Sequence, residues 1–421
     1  MKMAKFNFRT ISFIVGSVVI FAVVQVLISL GVLNDFWSTI IRLAGVMAIV
    51  SIGLNLIYGI NGQFSLGQFG FYAIGAYSAA DITFRWTQQQ SALGLTVVLS
   101  LAILVGLAIL LVMRMVSKLK RMDALSAFAL YLGVTFLAAY LAFQLGKLID
   151  PFFTQILMAL PKEIALNIVF LLAVLLGGVI AAEISFLFGL PILTLGSDYF
   201  GIATLGFTII VKVLLDNSDS MFGLVEMKGA RGMIGIPKVT TWAWVFVFLF
   251  ICIVLVRNLL RSSYGRAIVS IREDETAATA MGIDVANYKI LTFVIGSLLA
   301  GLAGGLYAHI NGFLHPDNFN FIRSFDPLII VVFGGLGSIS GTVVASFSWA
   351  LMLEGLLRLV LPQGFETWRF VVYPVMLLVM MLLKPDGLFG NYEIPYLQNI
   401  LPPLRKKKEE VKSTLAEKSA R

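Results

Sequence analysis

Apolar residues run through this chain in long uncharged blocks, separated by short charged or glycine-rich stretches. The blocks extend from Thr10 to Asn34, Ser91 to Met113, Ala124 to Gly146, and Ile164 to Ala182. Others run from Thr241 to Val256, Ile290 to Ala308, and Phe370 to Leu383. Most approach the roughly 20 residues a helix needs to cross a bilayer. Two blocks, Leu43 to Ala80 and Pro327 to Leu353, are too long for one crossing. Each is expected to hold two segments with an interruption. The residues are apolar on every face, whereas barrel strands alternate apolar and polar over about 10 residues. The pattern therefore predicts an all-α fold, a polytopic transmembrane helical bundle. About twelve spans are expected, or about ten if the glycine-rich segments near 62–80 and 326–341 are re-entrant. The first block is long and no A-x-A-like site follows it, so it reads as a retained helix.

Composition agrees. Hydrophobic residues make up 59% of the chain and charged residues 13%, with a mean hydropathy of +0.94. A soluble domain carries about 25% charged residues. The net charge of +8 suggests a nucleic-acid partner, but its placement argues against one. Basic residues cluster in short connections: Lys2, Lys5 and Arg9; Arg114, Lys118, Lys120 and Arg121; Arg405 to Lys408. That is the positive-inside pattern, and it puts these clusters in the cytoplasm. Arg257, Arg261, Arg266 and Arg272 put the loop 258–288 on the same side. The chain divides into a cytoplasmic tail 1–9, a membrane body 10–388 and a charged cytoplasmic tail 389–421 expected to be disordered. The opposite loops, 147–163, 216–240 and 312–325, are too short to be domains. Cys252 lies in an apolar block and reads as a small core residue.

Two segments carry candidate mechanism. In the loop 258–288, Ser270 and Glu273 have the spacing of a capping box. Glu273, Asp274 and Glu275 would then form an acidic first turn, and Gly282 a helix stop. The expected result is a short helix from about Ile271 to Met281. It either packs under the bundle or at the lipid interface, or docks a soluble partner. The second segment runs from Gly53 to Gly70 and crowds Asn55, Gly62, Gln63, Ser65 and Gln68 into membrane depth. Irregular backbone there is tolerated only against protein or a watery cavity. A translocation path and close glycine-mediated packing are both open readings.

Other features read as structure. Gly296, Ala300 and Gly304, and Gly301 with Gly305, form small-x-x-x-small stripes for helix packing. Gly334, Gly335, Gly337 and Gly341 read as a break. Glu354 and Arg358 are spaced as an i,i+4 ion pair, and Asp198 as a helix N-cap. No catalytic or metal-binding constellation is visible, and the two histidines, His309 and His315, flank one outer loop. There is no G-x-x-x-x-G-K-[ST], so the chain is not expected to bind ATP through a P-loop.

At these residues the chain resembles the LivM-type permease subunits of branched-chain amino-acid ABC importers, from about residue 45 to 390. Gly53-Leu-Asn-Leu-Ile-Tyr-Gly59 leads into Gln63-Phe-Ser-Leu-Gly67 and Phe71-Tyr-Ala-Ile-Gly-Ala-Tyr77. Asp198 to Phe207, Gly265 to Ala267 with Arg272 to Gly282, Phe333-Gly-Gly-Leu-Gly-Ser338 and Pro385 to Phe389 follow in order. The resemblance implies a multi-pass bacterial inner-membrane permease, working by alternating access. It implies a second homologous permease subunit, two cytoplasmic ATPase subunits that bind the ATP, and an extracytoplasmic binding protein. It implies leucine, isoleucine or valine as cargo, with urea or short amides as the alternative; an ion-coupled secondary transporter is the rival class. It gives the loop helix a docking role, with Arg272, Glu273, Asp274, Glu275, Ala277, Ala278 and Gly282 as coupling residues. Three departures stand out. Gly196 and Ser197 precede Asp198 where the family has Arg and Gly. The outer loop from Met221 differs from the family's glycine-rich run. The segment 121–165 looks like an added helix pair.

Overall fold

The computed structural model describes residues 8–118, 124–193, 197–221 and 225–360. It also describes residues 371, 375, 378, 379, 382, 383, 387–390, 393 and 394. The basic clusters at Lys2 and Lys5, at Lys120 and Arg121, and at Arg405 to Lys408 lie outside these residues. So do most of the last apolar block and most of the tail 389–421.

The elements follow the apolar blocks. Helix α1 (Phe8–Ser29) precedes α2 (Asp35–Leu54), whose N-terminus Asn34 caps by accepting from Trp37 N at 3.0 Å. A π-helical turn, Asn55–Ile60, ends α2, and after an extended segment α3 covers Gln68–Gln89. Helices α4 (Leu93–Lys118), α5 (Ala124–Met158), α6 (Lys162–Ile192) and α7 (Ser197–Asp216) follow, then the short α8 (Ser218–Met221). Next come α9 (Trp242–Arg261), α10 (Ser263–Glu273), α11 (Glu275–Ala280) and α12 (Val285–Asn311). Helices α13 (Phe325–Gly334), α14 (Ile339–Ala350), a second π-turn at Leu351–Leu356 and α15 (Leu357–Val360) complete the order. Among the described residues, nine helical stretches are long and apolar enough to cross a membrane. The bundle expectation is met, and both over-long blocks break in two: at 61–67 and at 335–338.

Helix α12 is the centre, packed most extensively on α6 and α3 and next on α2, which in turn carries α14. Lipid gives no hydrophobic drive to helix association, so close van der Waals contact must hold the bundle. The glycine stripes provide it. A methyl group on Gly53 would come within 2.6 Å of Gly296 O, and one on Gly301 within 2.6 Å of the Ala181 methyl. His309 lies inside α12, fully buried, with Nε2 2.7 Å from Thr83 Oγ1 and Nδ1 2.7 Å from Gly305 O. It ties α12 to α3 rather than marking a loop. Helix α1 lies outside the bundle against α9, through Phe13 on Phe250 and Phe21 on Phe246.

Three expectations are corrected. The stretch 147–163 is helix apart from a turn at 159–161, and 124–158 is one helix of 35 residues, α5, rather than a pair. At ~1.5 Å per residue it is about 50 Å long, well beyond the ~30 Å hydrocarbon core. Its charged end therefore needs no apolar coat, which is why Lys147 and Asp150 read as loop. Asp150 holds that end to the start of α4, accepting from Thr154 Oγ1 at 3.0 Å, while Thr154 Oγ1 accepts from Ala92 N at 3.0 Å. Glu354 pairs with Arg323, its Oε1 3.8 Å from Nη1, instead of with Arg358 one turn on. The π-turn at Leu351–Leu356 rotates that turn away from simple i,i+4 geometry. Asp198 falls in the first turn of α7, but its side chain lies outside the described residues.

Candidate functional site

The glycine-rich break after α2 is held by side-chain amides and hydroxyls. Asn55 is 1% exposed and satisfied by protein on both ends. Its Nδ2 donates to Ser338 O and Thr342 Oγ1, both at 2.9 Å, and its Oδ1 accepts from Gly337 N at 2.8 Å. The turn 335–338 between α13 and α14 exposes N–H and C=O groups with no helical partner, and the asparagine amide supplies both kinds of partner. On the other side of that turn, Leu388 N donates to Phe333 O and Phe389 N to Gly334 O. Glu393 accepts from Ile339 N at 2.6 Å and Ser340 N at 3.3 Å. Burial nonetheless pushes its carboxyl above the ordinary carboxylate range.

The extended segment 61–67 is mostly buried, so its backbone also needs partners. Helix α7 provides them: Thr204 Oγ1 accepts from Leu66 N at 3.0 Å, and Thr208 Oγ1 donates to Leu66 O at 3.3 Å. Gln63 Oε1 accepts from Asn61 Nδ2, which also reaches Thr292 Oγ1 on α12. Ser65 Oγ accepts from Gly67 N at 3.4 Å. Gln68 is 1% exposed, and neither its Nε2 nor its Oε1 has a hydrogen-bond partner among the described residues. Gly62 is exposed at φ +81°, against the stem of Arg272.

Arg272 brings the loop 258–288 to this point, its Nη1 donating to Gly59 O. The loop is built differently from the expected single helix. Ser262, not Ser270, caps the first helix, accepting from Gly265 N, while Ser270 Oγ donates back to Ala267 O. Helix α10 ends at Glu273, and Asp274 starts a new helix by accepting from Thr276 N at 2.8 Å and Ala277 N at 2.9 Å. A short carboxylate competes for backbone N–H groups better at a cap than inside a helix, so the acidic run breaks the helix in two. The stop is as expected. Gly282 takes φ +82°, Gly282 N donates to Thr279 O, and Ile283 N donates to Ala278 O. This is a Schellman closure. Ala278 faces the bundle at 4% exposure, while Thr276, Ala277, Ala280 and Gly282 are exposed and Met281 is 82% exposed. Lys289 Nζ, 2.7 Å from Glu275 Oε2, ties α11 to α12.

A cavity of about 340 Å³ opens among α2, α3, α12 and the α13–α15 segment. One face of α2 forms its apolar wall with Phe36, Ile40, Leu43 and Met47. Phe69 and Tyr72 of α3 and Tyr307 of α12 add aromatic surface, Tyr72 and Tyr307 lying 5.4 Å apart. Arg323, Asp326, Glu354 and Arg358 bring formal charge to the same space. The structure thus gives Asn55, Gln63 and Ser65 separate partners, Asn55 on the 335–338 turn, Gln63 on Asn61 and Ser65 on Gly67 N, and places Gln68 next to the cavity-lining Phe69. The partners around the break, the hydroxyls of Thr204, Thr208, Thr292 and Thr342 and the backbone of Ser338, give no sequence signal beyond polar residues in apolar helices.

The profile of the branched-chain amino acid transport system / permease component family matches residues 36–155 and 133–381. The high-affinity branched-chain amino acid transport system permease protein LivM of Salmonella typhimurium is 29% identical over 247 residues, 51% of this chain and 56% of that protein. The probable branched-chain amino acid transport permease protein LivM of Methanocaldococcus jannaschii is 26% identical over 257 residues, 58% of this chain and 73% of that protein. BraD of Pseudomonas aeruginosa, a high-affinity branched-chain amino acid transport system permease protein, is 32% identical over 140 residues, 32% of this chain and 42% of that protein. The matched stretch spans about half the length of the Salmonella relative. No solved structure matches the chain.

Proposed function

The chain belongs to the branched-chain amino acid transport permease family, and from that premise we propose that it is the membrane-embedded subunit of an ATP-driven importer of branched-chain amino acids. The observation that carries the reading is the cavity. It combines an aliphatic wall with two cationic and two anionic side chains inside a bundle of membrane-length helices. A branched-chain amino acid is a small apolar body with one positive and one negative group, and the lining matches both parts. Urea and short amides carry no charge, so the charged lining gives them less support.

In this reading the chain has no cofactor of its own. Two cytoplasmic ATPase subunits bind ATP, a second homologous permease completes the pore, and an extracytoplasmic binding protein delivers cargo. The broken segment carrying Asn55, Gly62, Gln63, Ser65 and Gln68 borders the translocation path and rearranges as the bundle alternates. The loop carrying Arg272, Glu273, Asp274, Glu275, Ala277, Ala278 and Gly282 receives the ATPase. Its outward face, Ala277, Ala280 and Met281, makes the contact, and Arg272 passes the motion to Gly59. Vesicles carrying the whole complex should accumulate labelled leucine only with ATP and ATPase subunits present. Accumulation driven by an ion gradient without them would support the secondary-transporter reading instead.

A further inference from the structure

The polar side chains at the break divide into two kinds. Asn55, Gln63 and Ser65 are held by protein. Gln68 is as deeply buried, yet both ends of its amide are unpartnered among the described residues. Two more groups of the second kind lie close in depth. Ser51 Oγ on α2 and Ser297 Oγ on α12 are fully buried and unpartnered. A helical serine can donate to the carbonyl one turn earlier, as Ser346 does to Thr342 O, but these two do not. Ser51 and Ser297 flank the close approach of Gly53 to Gly296. Helices α3 and α12 run parallel, with Gly75 against Gly301 and Thr83 on His309. Gln68 is seven residues before Gly75 and Ser297 four before Gly301, so their depths differ by about 4.5 Å, less than one helical turn. This layer adjoins the cavity: Ser51 is one turn from Met47, and Gln68 precedes Phe69 and is one turn from Tyr72, all of which line it. The three helices α2, α3 and α12 thus each carry one unpartnered polar side chain at the end of the cavity nearest the 61–67 break. Burying such a group costs stability, and within a bilayer no bulk water offsets the cost. An apolar residue of the same shape would remove it. Packing therefore gives no reason for a glutamine here, whereas a polar solute moving through the bundle does.

We propose that Gln68 binds the head of a free α-amino acid as it passes from the cavity toward the break. The amide carries one acceptor and one donor group: Oε1 accepts from the ammonium group and Nε2 donates to the carboxylate. The hydroxyls of Ser51 and Ser297 complete the site. Roles at the break then separate, with Asn55 and Gln63 holding the fold and Gln68 holding cargo. The proposal rests on the amino-acid permease reading and extends it by naming the residue that reads the head.

Equilibrium binding of labelled leucine to the purified permease–ATPase complex, without the binding protein, is measured beside thermal unfolding of the same complex. Gln68→Met keeps the length of the side chain and removes both polar ends. It should retain the ATPase subunits and leave the unfolding temperature equal or higher. It should nonetheless raise the half-saturating leucine concentration about tenfold, the worth of one hydrogen bond to a charged group. Gln68→Asn should recover part of that loss, and Ser297→Ala should shift binding the same way by a smaller factor. Unchanged leucine binding in Gln68→Met overturns the proposal: with a steady or higher unfolding temperature the amide holds an internal water only, and with a lower one it is a structural contact. Failure of Gln68→Met to assemble overturns it too, as does no leucine binding by an unaltered complex that transports leucine. If the complete importer with its binding protein transports no amino acid at all, the permease reading fails instead.

Discussion

Replacing Asn55 with alanine distinguishes a structural clamp from a cargo contact. The change removes three hydrogen bonds, to Gly337 N, Ser338 O and Thr342 Oγ1. The two acceptors keep each other: Thr342 Oγ1 still donates to Ser338 O at 2.7 Å. Their share of the loss is therefore about 0.5–1.5 kcal/mol. Gly337 N–H is left as a buried donor whose partner is gone, which costs about 1–3 kcal/mol. The sum is about 1.5–4.5 kcal/mol. Interhelical hydrogen bonds in membranes often measure nearer 1 kcal/mol each, because the unfolded chain in lipid also finds partners, so the lower half of that range is expected. The assay is reversible denaturation of the detergent-solubilised chain beside uptake by the assembled complex. Asn55→Ala should lower stability by that amount and reduce uptake together with ATPase coupling, because the same residue joins the π-turn that carries Gly59 to the α13–α14 turn. Unchanged stability with a raised KM for cargo would refute the clamp and make Asn55 a contact of the translocation path.

Three further outcomes are expected. Gly282→Ala should cost about 1 kcal/mol from the left-handed backbone alone, since no atom lies within 4 Å of the added methyl, and should keep transport. Gly282→Glu should stay in the membrane yet lose ATPase co-purification and uptake; normal uptake with the ATPase retained would show that this glycine does not serve docking. Ser263→Cys, exposed at the start of α10, should react with membrane-impermeant reagents only from the cytoplasmic face, and labelling in intact cells would overturn the orientation. The isolated chain should show no micromolar nucleotide affinity, since it has no phosphate-cradling loop; saturable ATP binding would defeat the subunit reading.

Periodicity and block length made most of the fold legible. The blocks became helices, and the over-long ones broke at the glycine-rich positions, because apolar length and helix-breaking residues are local properties. The errors arose where distant groups decide. The run Glu273-Asp274-Glu275 supports one capped helix by spacing, yet Asp274 caps a second helix because its carboxylate captures Thr276 N and Ala277 N. Glu354 and Arg358 satisfy the i,i+4 rule, but a π-turn and the arrival of Arg323 from a distant turn redirect Glu354. Asn55 was marked by its polarity at depth, but its partners lie more than 280 residues away, beyond the reach of spacing arguments. The charged cavity was missed for the same reason. Its acids, arginines and aromatic wall come from five helices and a loop, and only the folded bundle brings them together.

ATP-dependent accumulation of labelled leucine, in vesicles carrying this chain with its partner subunits and binding protein, tests the central claim most directly. Uptake should require ATP, the ATPase subunits and this chain. Leucine accumulation that persists without ATPase subunits and collapses with the ion gradient would contradict the account.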